Sequence, residues 1–162
     1  MNFFSTYFWI QIITSMLSAA GFAVVFKARA RHLLFVAIGG LVTYASYYTV
    51  AFFTGELFLA AFFSTLLTAV YSEFCARARR APAAVFLFPS LIPTVPGGSL
   101  YHAMRCLLAD NAKLAMSYLS DAVSIGLGIA GGIMVVSIAV GQLADMKRKR
   151  RLHERPRKEM AE

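Results

Sequence analysis

The chain has 162 residues, of which 59% are hydrophobic and only 15% charged, with a mean hydropathy of +0.64. That balance excludes a water-soluble domain of this size and predicts an integral membrane protein. A formal charge of +8 could suit nucleic acid, yet the lysines and arginines gather at 27 to 31, 77 to 80 and 147 to 158, each beside an apolar run. Such clusters mark loops held at a negatively charged cytoplasmic leaflet, so membrane lipid is an expected partner and nucleic acid is not.

A membrane-crossing helix needs roughly 20 apolar residues. The run from 3 to 26 meets this, and with no basic n-region or small-residue cleavage site before it, it is predicted to be a retained span. It carries Gln11 and Thr14. The second run, 33 to 53, is rich in hydroxyls and holds Gly40, Tyr44 and Tyr47 at i, i+4, i+7 spacing. Tyr44 and Tyr47 thus share a face and are expected either to line a pathway or to hydrogen-bond between helices. Tyr48 belongs to the interfacial aromatic belt. After a Thr54-Gly55-Glu56 turn, 57 to 76 is a third span with Glu73 near its inner end.

The fourth candidate, 83 to 108, has the length of a span but contains Pro89, Pro93, Pro96, Gly97 and Gly98. Pro93 and Pro96 lack a donor N–H and clash with the preceding turn, while Gly97 and Gly98 permit a positive φ at the connection. Residues 83 to 93 and 99 to 109 would each rise about 16 Å, together close to one bilayer. The expectation is therefore two half-helices meeting near the midplane, with Ser99 capping the second. Non-helical backbone at that depth must be buried in protein or line a wet cavity, and a half-helix N-terminus there presents free N–H groups suited to a carboxylate. Pro93, Pro96, Gly97, Gly98, Ser99 and Tyr101 are the candidate substrate-binding positions on this element, with Tyr44 and Tyr47 as second-rank lining residues. A plain proline kink is the alternative.

Past an external segment from Asp110 to Ser120, the last span, 122 to 143, has Ser124, Gly128 and Gly132 at four-residue intervals. Small residues at that spacing predict a packing seam against a neighbouring helix or partner subunit. The division is a transmembrane domain over 1–146 and a basic cytoplasmic tail over 147–162. With five crossings all three basic clusters fall on one side; a re-entrant hairpin at 83 to 108 would place the tail opposite the other two, against the positive-inside tendency. The predicted fold is an all-α integral membrane protein of five transmembrane spans, the fourth a discontinuous helix broken at Pro93 to Ser99, with the N-terminus outside and the C-terminus inside.

Ionisable groups at bilayer depth are costly and mark function. His102, Glu73 and Asp121 are the candidates for proton or charge coupling; Arg105 attracts an anion or snorkels to the interface. Cys75 and Cys106 read as packing residues, with no CxxC or metal-ligand spacing. No nucleotide loop, catalytic triad or zinc pattern is present, so neither enzyme activity, metal nor cofactor is expected.

The stretch FPSLIPTVPGGSLY at 88 to 101, after the first three apolar runs and before a glycine-rich last one, resembles the small-subunit type of the threonine/serine exporter family. The resemblance implies a subunit of a secondary exporter of small carboxylate-bearing metabolites, either threonine and serine or a dicarboxylate such as succinate, in a bacterial cytoplasmic membrane. It also implies a larger partner subunit with its own transmembrane spans and a hydrophilic N-terminal domain, this chain corresponding to the second half of the single-chain members. A non-transporting membrane scaffold and a stand-alone channel are the alternatives.

Overall fold

The computed structural model describes residues 6–159 and, among them, holds only helices and turns. The first residues of the span predicted at 3 to 26 and the side chains of the tail predicted at 147–162 lie outside the described set. Helix α1 covers Thr6–Val25, α2 Ala30–Thr54, α3 Leu57–Arg79, α4 Ala84–Leu91, α5 Gly97–Leu108 and α6 Ala112–Glu159, with a 3₁₀ turn at Ile92–Thr94 between α4 and α5. Four of them contain stretches long and apolar enough to cross a bilayer, at Phe8–Val25, Ala30–Thr54, Leu57–Arg79 and Ala112–Leu143.

Apart from the break between α4 and α5, the connections are tight because each uses one residue in the left-handed region. Gly55 (φ 70) ends α2 at no steric cost, whereas Lys27 (φ 55), Arg80 (φ 51) and Asp110 (φ 54) adopt the same conformation against their side chains' preference. Backbone closures follow, the amides of Ala28, Ala81 and Asn111 donating to the carbonyls of Ala23, Ala76 and Cys106 at 2.9 to 3.1 Å. The segment from Asp110 to Ser120, which precedes the span expected at 122 to 143, is mostly the first turns of α6. Asn111 starts it by accepting from the Leu114 amide at 3.2 Å.

Pairwise contacts fix the direction of every helix. Tyr71 meets Phe35 and Thr68 meets Thr43, so α3 runs antiparallel to α2. His32 packs on Phe86 and Ser90 bonds to Val36, so α4 runs parallel to α2. Gly128 faces Phe58 and Gly132 faces Thr65, so α6 runs parallel to α3. Two parallel helices can be joined this way only if the segment between them crosses back. The bend between Ala84–Thr94 and Gly97–Leu108 is 43°, far from a reversal, so the broken pair counts as the fifth span. Lys27 to Arg31, Arg77 to Arg80 and the C-terminal end of α6 therefore share one end of the bundle, the basic end.

The interior is built from small and hydroxylated residues rather than large ones, as close helix approach in lipid requires. Ala19, Ala23, Ala60, Ala61, Thr43, Ser64, Thr65, Thr68 and Ser90 are all buried. Gly39 and Gly40 let α2 lie between two neighbours: a β-carbon at Gly39 would meet Ser90 Oγ of α4 at 2.1 Å, and one at Gly40 would meet the Ser15 carbonyl of α1 at 2.8 Å. On α6, a β-carbon at Gly128 would meet the Phe58 carbonyl at 2.6 Å and one at Gly132 the Phe62 carbonyl at 2.9 Å; Ser124 is half-buried one turn earlier. Gly128→Leu is expected to force α3 and α6 apart and to cost about 3 kcal/mol, read as a lowered thermal unfolding midpoint of the purified protein. Gly126→Ala, with nothing within 4 Å of the added carbon, should leave that midpoint unchanged.

Candidate functional site

The break itself is a short run of forced conformations. Pro89 sits inside α4, Pro93 falls in the 3₁₀ turn, and Val95 is extended (φ −60, ψ 132). Pro96 (φ −75, ψ 44) lets the Gly97 amide donate back to the Val95 carbonyl at 2.7 Å. Helix α5 then starts at Gly97, its first regular bond running from the Leu100 amide to the Pro96 carbonyl at 3.1 Å. Pro96 and not Ser99 occupies the N-cap position, and no side chain caps this end. The two glycines are helical, Gly55 being the one positive-φ glycine among the described residues, so the freedom to take a left-handed turn is not why they are here. A β-carbon at Gly97 or Gly98 would meet nothing within 4 Å, and the amides of Gly98 and Ser99 have no backbone acceptor. They are the orphan donors of a helix start, left open with no side chain shielding the backbone.

Beside the break lies a crevice of about 210 Å³ lined by Gln11, Thr14, Ser15, Ser18, Tyr44 and Pro93. At ~30 Å³ per water it holds roughly seven waters, the scale of a small metabolite. The Tyr44 hydroxyl donates to Gln11 Oε1, tying α2 to α1. Ser15 Oγ donates to the Ile12 carbonyl at 2.8 Å and to the Gly40 carbonyl at 3.3 Å, closing the floor where Gly40 admits α1. Gln11 and Thr14 remain exposed on the bundle surface although both lie in a span. Thr14 is eleven and Ser18 seven 1.5 Å steps from Val25 at the basic end, so the stripe runs into the middle third of the span. The Thr14 hydroxyl donates within its own helix, to the Ile10 and Gln11 carbonyls at 2.9 and 3.0 Å, while the Gln11 amide is a group that water or another protein satisfies better than hydrocarbon.

Of the positions named from sequence, Tyr44 and Pro93 line this crevice, and Pro96, Gly97, Gly98 and Ser99 form the break next to it. Tyr47 does not share the crevice with Tyr44. The two differ by three residues and so point about 60° apart, and Tyr47 is placed to feel the Asp121 carboxylate of α6. Tyr101 is 64% exposed, on the outward face of α5. His102 stacks on Tyr118 of α6 at 5.3 Å, and Glu73 pairs with Arg77 at 3.9 Å toward the basic end. None of His102, Glu73 and Asp121 lines the crevice. Ser15 and Ser18 were missed, although with Gln11 and Thr14 they fall at i, i+3, i+4, i+7 along α1 and could have been read as one polar stripe.

Four apolar helices and a fifth interrupted part-way, with a polar crevice at the interruption, define a multi-pass helical membrane protein. The particular family follows from a comparison of the sequence: residues 11–139 match the family described as Threonine/Serine exporter, ThrE, and the chain belongs to that family. No curated protein and no solved structure matches it. The family is one of exporters and not, in general, of enzymes.

Proposed function

We propose that this chain is the smaller subunit of a two-component secondary exporter of small carboxylate-bearing metabolites, threonine and serine or a dicarboxylate such as succinate. It works with a larger subunit carrying its own spans and a hydrophilic N-terminal domain. The observation that carries this reading is the pairing of an exposed polar stripe on α1 with unshielded amides at the break. The Gly98 and Ser99 N–H groups suit a carboxylate, since a helix N-terminus favours negative charge. Gln11, Thr14, Ser18 and Tyr44 suit the ammonium and hydroxyl groups of the same solute. Because the stripe opens outward, the wall opposite it belongs to the partner, and the solute is held between the two chains. With basic loops facing the cytoplasm, the N-terminus is outside, the C-terminus is inside, and the bacterial cytoplasmic membrane is the natural setting.

Efflux of labelled threonine, serine and succinate from preloaded vesicles tests this. Vesicles with both subunits are expected to export at least one of the three while vesicles with this chain alone export none; flux through this chain alone would make it a complete carrier or channel, and no flux from either would favour a scaffold. Tyr44→Phe, which removes the hydroxyl that holds Gln11, is expected to slow export by roughly five- to tenfold, the worth of one hydrogen bond, without loss of the complex.

A further inference from the structure

The two loops at the basic end enclose a second cavity, of about 350 Å³, whose lining includes Lys27, Arg29, Arg31, His32 and Arg80. Four of these are cations, and no carboxylate lines the cavity. Among the described residues the ion pair present is Arg77–Glu73, outside this lining, so no carboxylate in the lining compensates the four charges. All four cations are exposed, and Lys27 and Arg80 are presented at the helix ends in the left-handed conformation, with φ of 55° and 51°.

His32 provides a second, independent sign. It is 3% exposed and its ring packs edge-on against Phe86 at 5.2 Å. Arg31 Nε donates to His32 Nε2 at 3.3 Å, and since a guanidinium only donates, the neutral imidazole carries its proton on Nδ1. That buried Nδ1 has no hydrogen-bond partner. A buried donor left unpaired costs about 1 to 3 kcal/mol, and His32 itself belongs to the lining of this basic cavity. Two helices also begin here in parallel, α2 after Arg29 and α4 after Ala83, and neither has a side-chain N-cap. Their first amides add donors and partial positive charge to the same end.

We propose that this cavity is a binding site for a phosphate-bearing anion, supplied either as the phosphodiester of an anionic lipid headgroup or as free phosphate. Phosphate is favoured over a carboxylate because several guanidinium forks and an ammonium match its charge and its many acceptor oxygens. The site lies where α1 ends and α2 begins, at the edge of two spans, and Phe26, Pro82 and Val85 give it apolar walls on which an acyl chain can lie. It is separate from the crevice at the helix break, and the proposal stands whether or not the chain exports a metabolite.

The test uses the full chain in phosphatidylcholine nanodiscs. One arm counts phosphatidylglycerol retained on the protein by native mass spectrometry as that lipid is titrated in; the other measures the shift of the unfolding midpoint with inorganic phosphate against chloride at equal ionic strength. Saturable binding is expected in one arm, and which arm responds names the source. The variant Arg29→Gln/Arg31→Gln/Arg80→Asn is expected to weaken that binding roughly 100-fold, at about a factor of five per cation removed. Arg80→Asn alone, which keeps a residue tolerant of the left-handed conformation, should weaken it about fivefold and decides the matter if the triple variant does not fold. Arg105→Gln, on α5 at the opposite end of the bundle, should change nothing. The proposal is overturned by equal retention of phosphatidylglycerol and phosphatidylcholine with no phosphate response, by binding that survives Arg80→Asn unchanged, or by an equal loss in Arg105→Gln.

Discussion

Alanine at Gly97 or Gly98 is expected to leave the bundle folded and the two-subunit complex assembled while export falls by roughly tenfold or more, the worth of one charge-assisted hydrogen bond. Beyond the adjacent residues and the helix's own backbone, nothing lies within 4 Å of the added carbon at either position, so the fold has no reason to object. Alanine is also the better helix former, and each exchange should stabilise α5 by about 0.5 kcal/mol. What the methyl group does change is access to the Gly98 and Ser99 amides, which lack any backbone acceptor. Efflux from vesicles and the unfolding midpoint of the same preparations check the two halves of the expectation. Unchanged efflux would mean that nothing approaches the backbone here, and the break would then be a proline kink with no ligand.

Gly40→Val should have the largest structural effect of any single change at the α1–α2 contact. The new β-carbon would stand 2.7 Å from the Ala19 β-carbon and 2.8 Å from the Ser15 carbonyl, and neither belongs to a side chain that can swing away. Helix α1 must move, Ser15 loses its bond to the Gly40 carbonyl, and the crevice opens because Gln11, Ser15 and Tyr44 no longer meet. The expected cost is about 3 kcal/mol or more. Limited proteolysis and the unfolding midpoint should both report it, and Gly21→Ala, with nothing within 4 Å, is the matched control. A folded, fully active Gly40→Val protein would show that α1 and α2 do not pack through this glycine.

Why the helices and the break were legible in the sequence while the crevice was only half legible comes down to the range of the forces involved. Hydrophobic length fixes a span locally, so α1, α2 and α3 lie close to their expected limits. Pro93, Pro96, Gly97 and Gly98 announce a break because each acts on its own backbone. The conformation inside the break was misjudged for the same reason: Pro96 supplies the turn through its own φ and ψ and hands its carbonyl to Leu100, leaving no task for a positive-φ glycine or a serine cap. The sequence reading began the last span at 122, but the helix starts ten residues earlier because Asn111 caps it and α5 packs along it. Tyr44 reaches Gln11, thirty-three positions away in the chain, through a meeting of helices that no local pattern encodes. The three-residue spacing already turned Tyr47 about 60° from Tyr44, but that it lies toward Asp121 depends on where α6 packs.

The site at the break can be probed by substrate protection of a single thiol. With Cys75 and Cys106, both free, replaced by alanine, Ser99→Cys in the first turn of α5 and Tyr101→Cys on its exposed face give two reporters in the same assembled exporter. Saturating threonine, serine or succinate should slow maleimide labelling of the cysteine at position 99 and leave that at position 101 unaffected. Labelling at position 99 that no exported solute slows, or equal slowing at both positions, would contradict a substrate site at the start of α5.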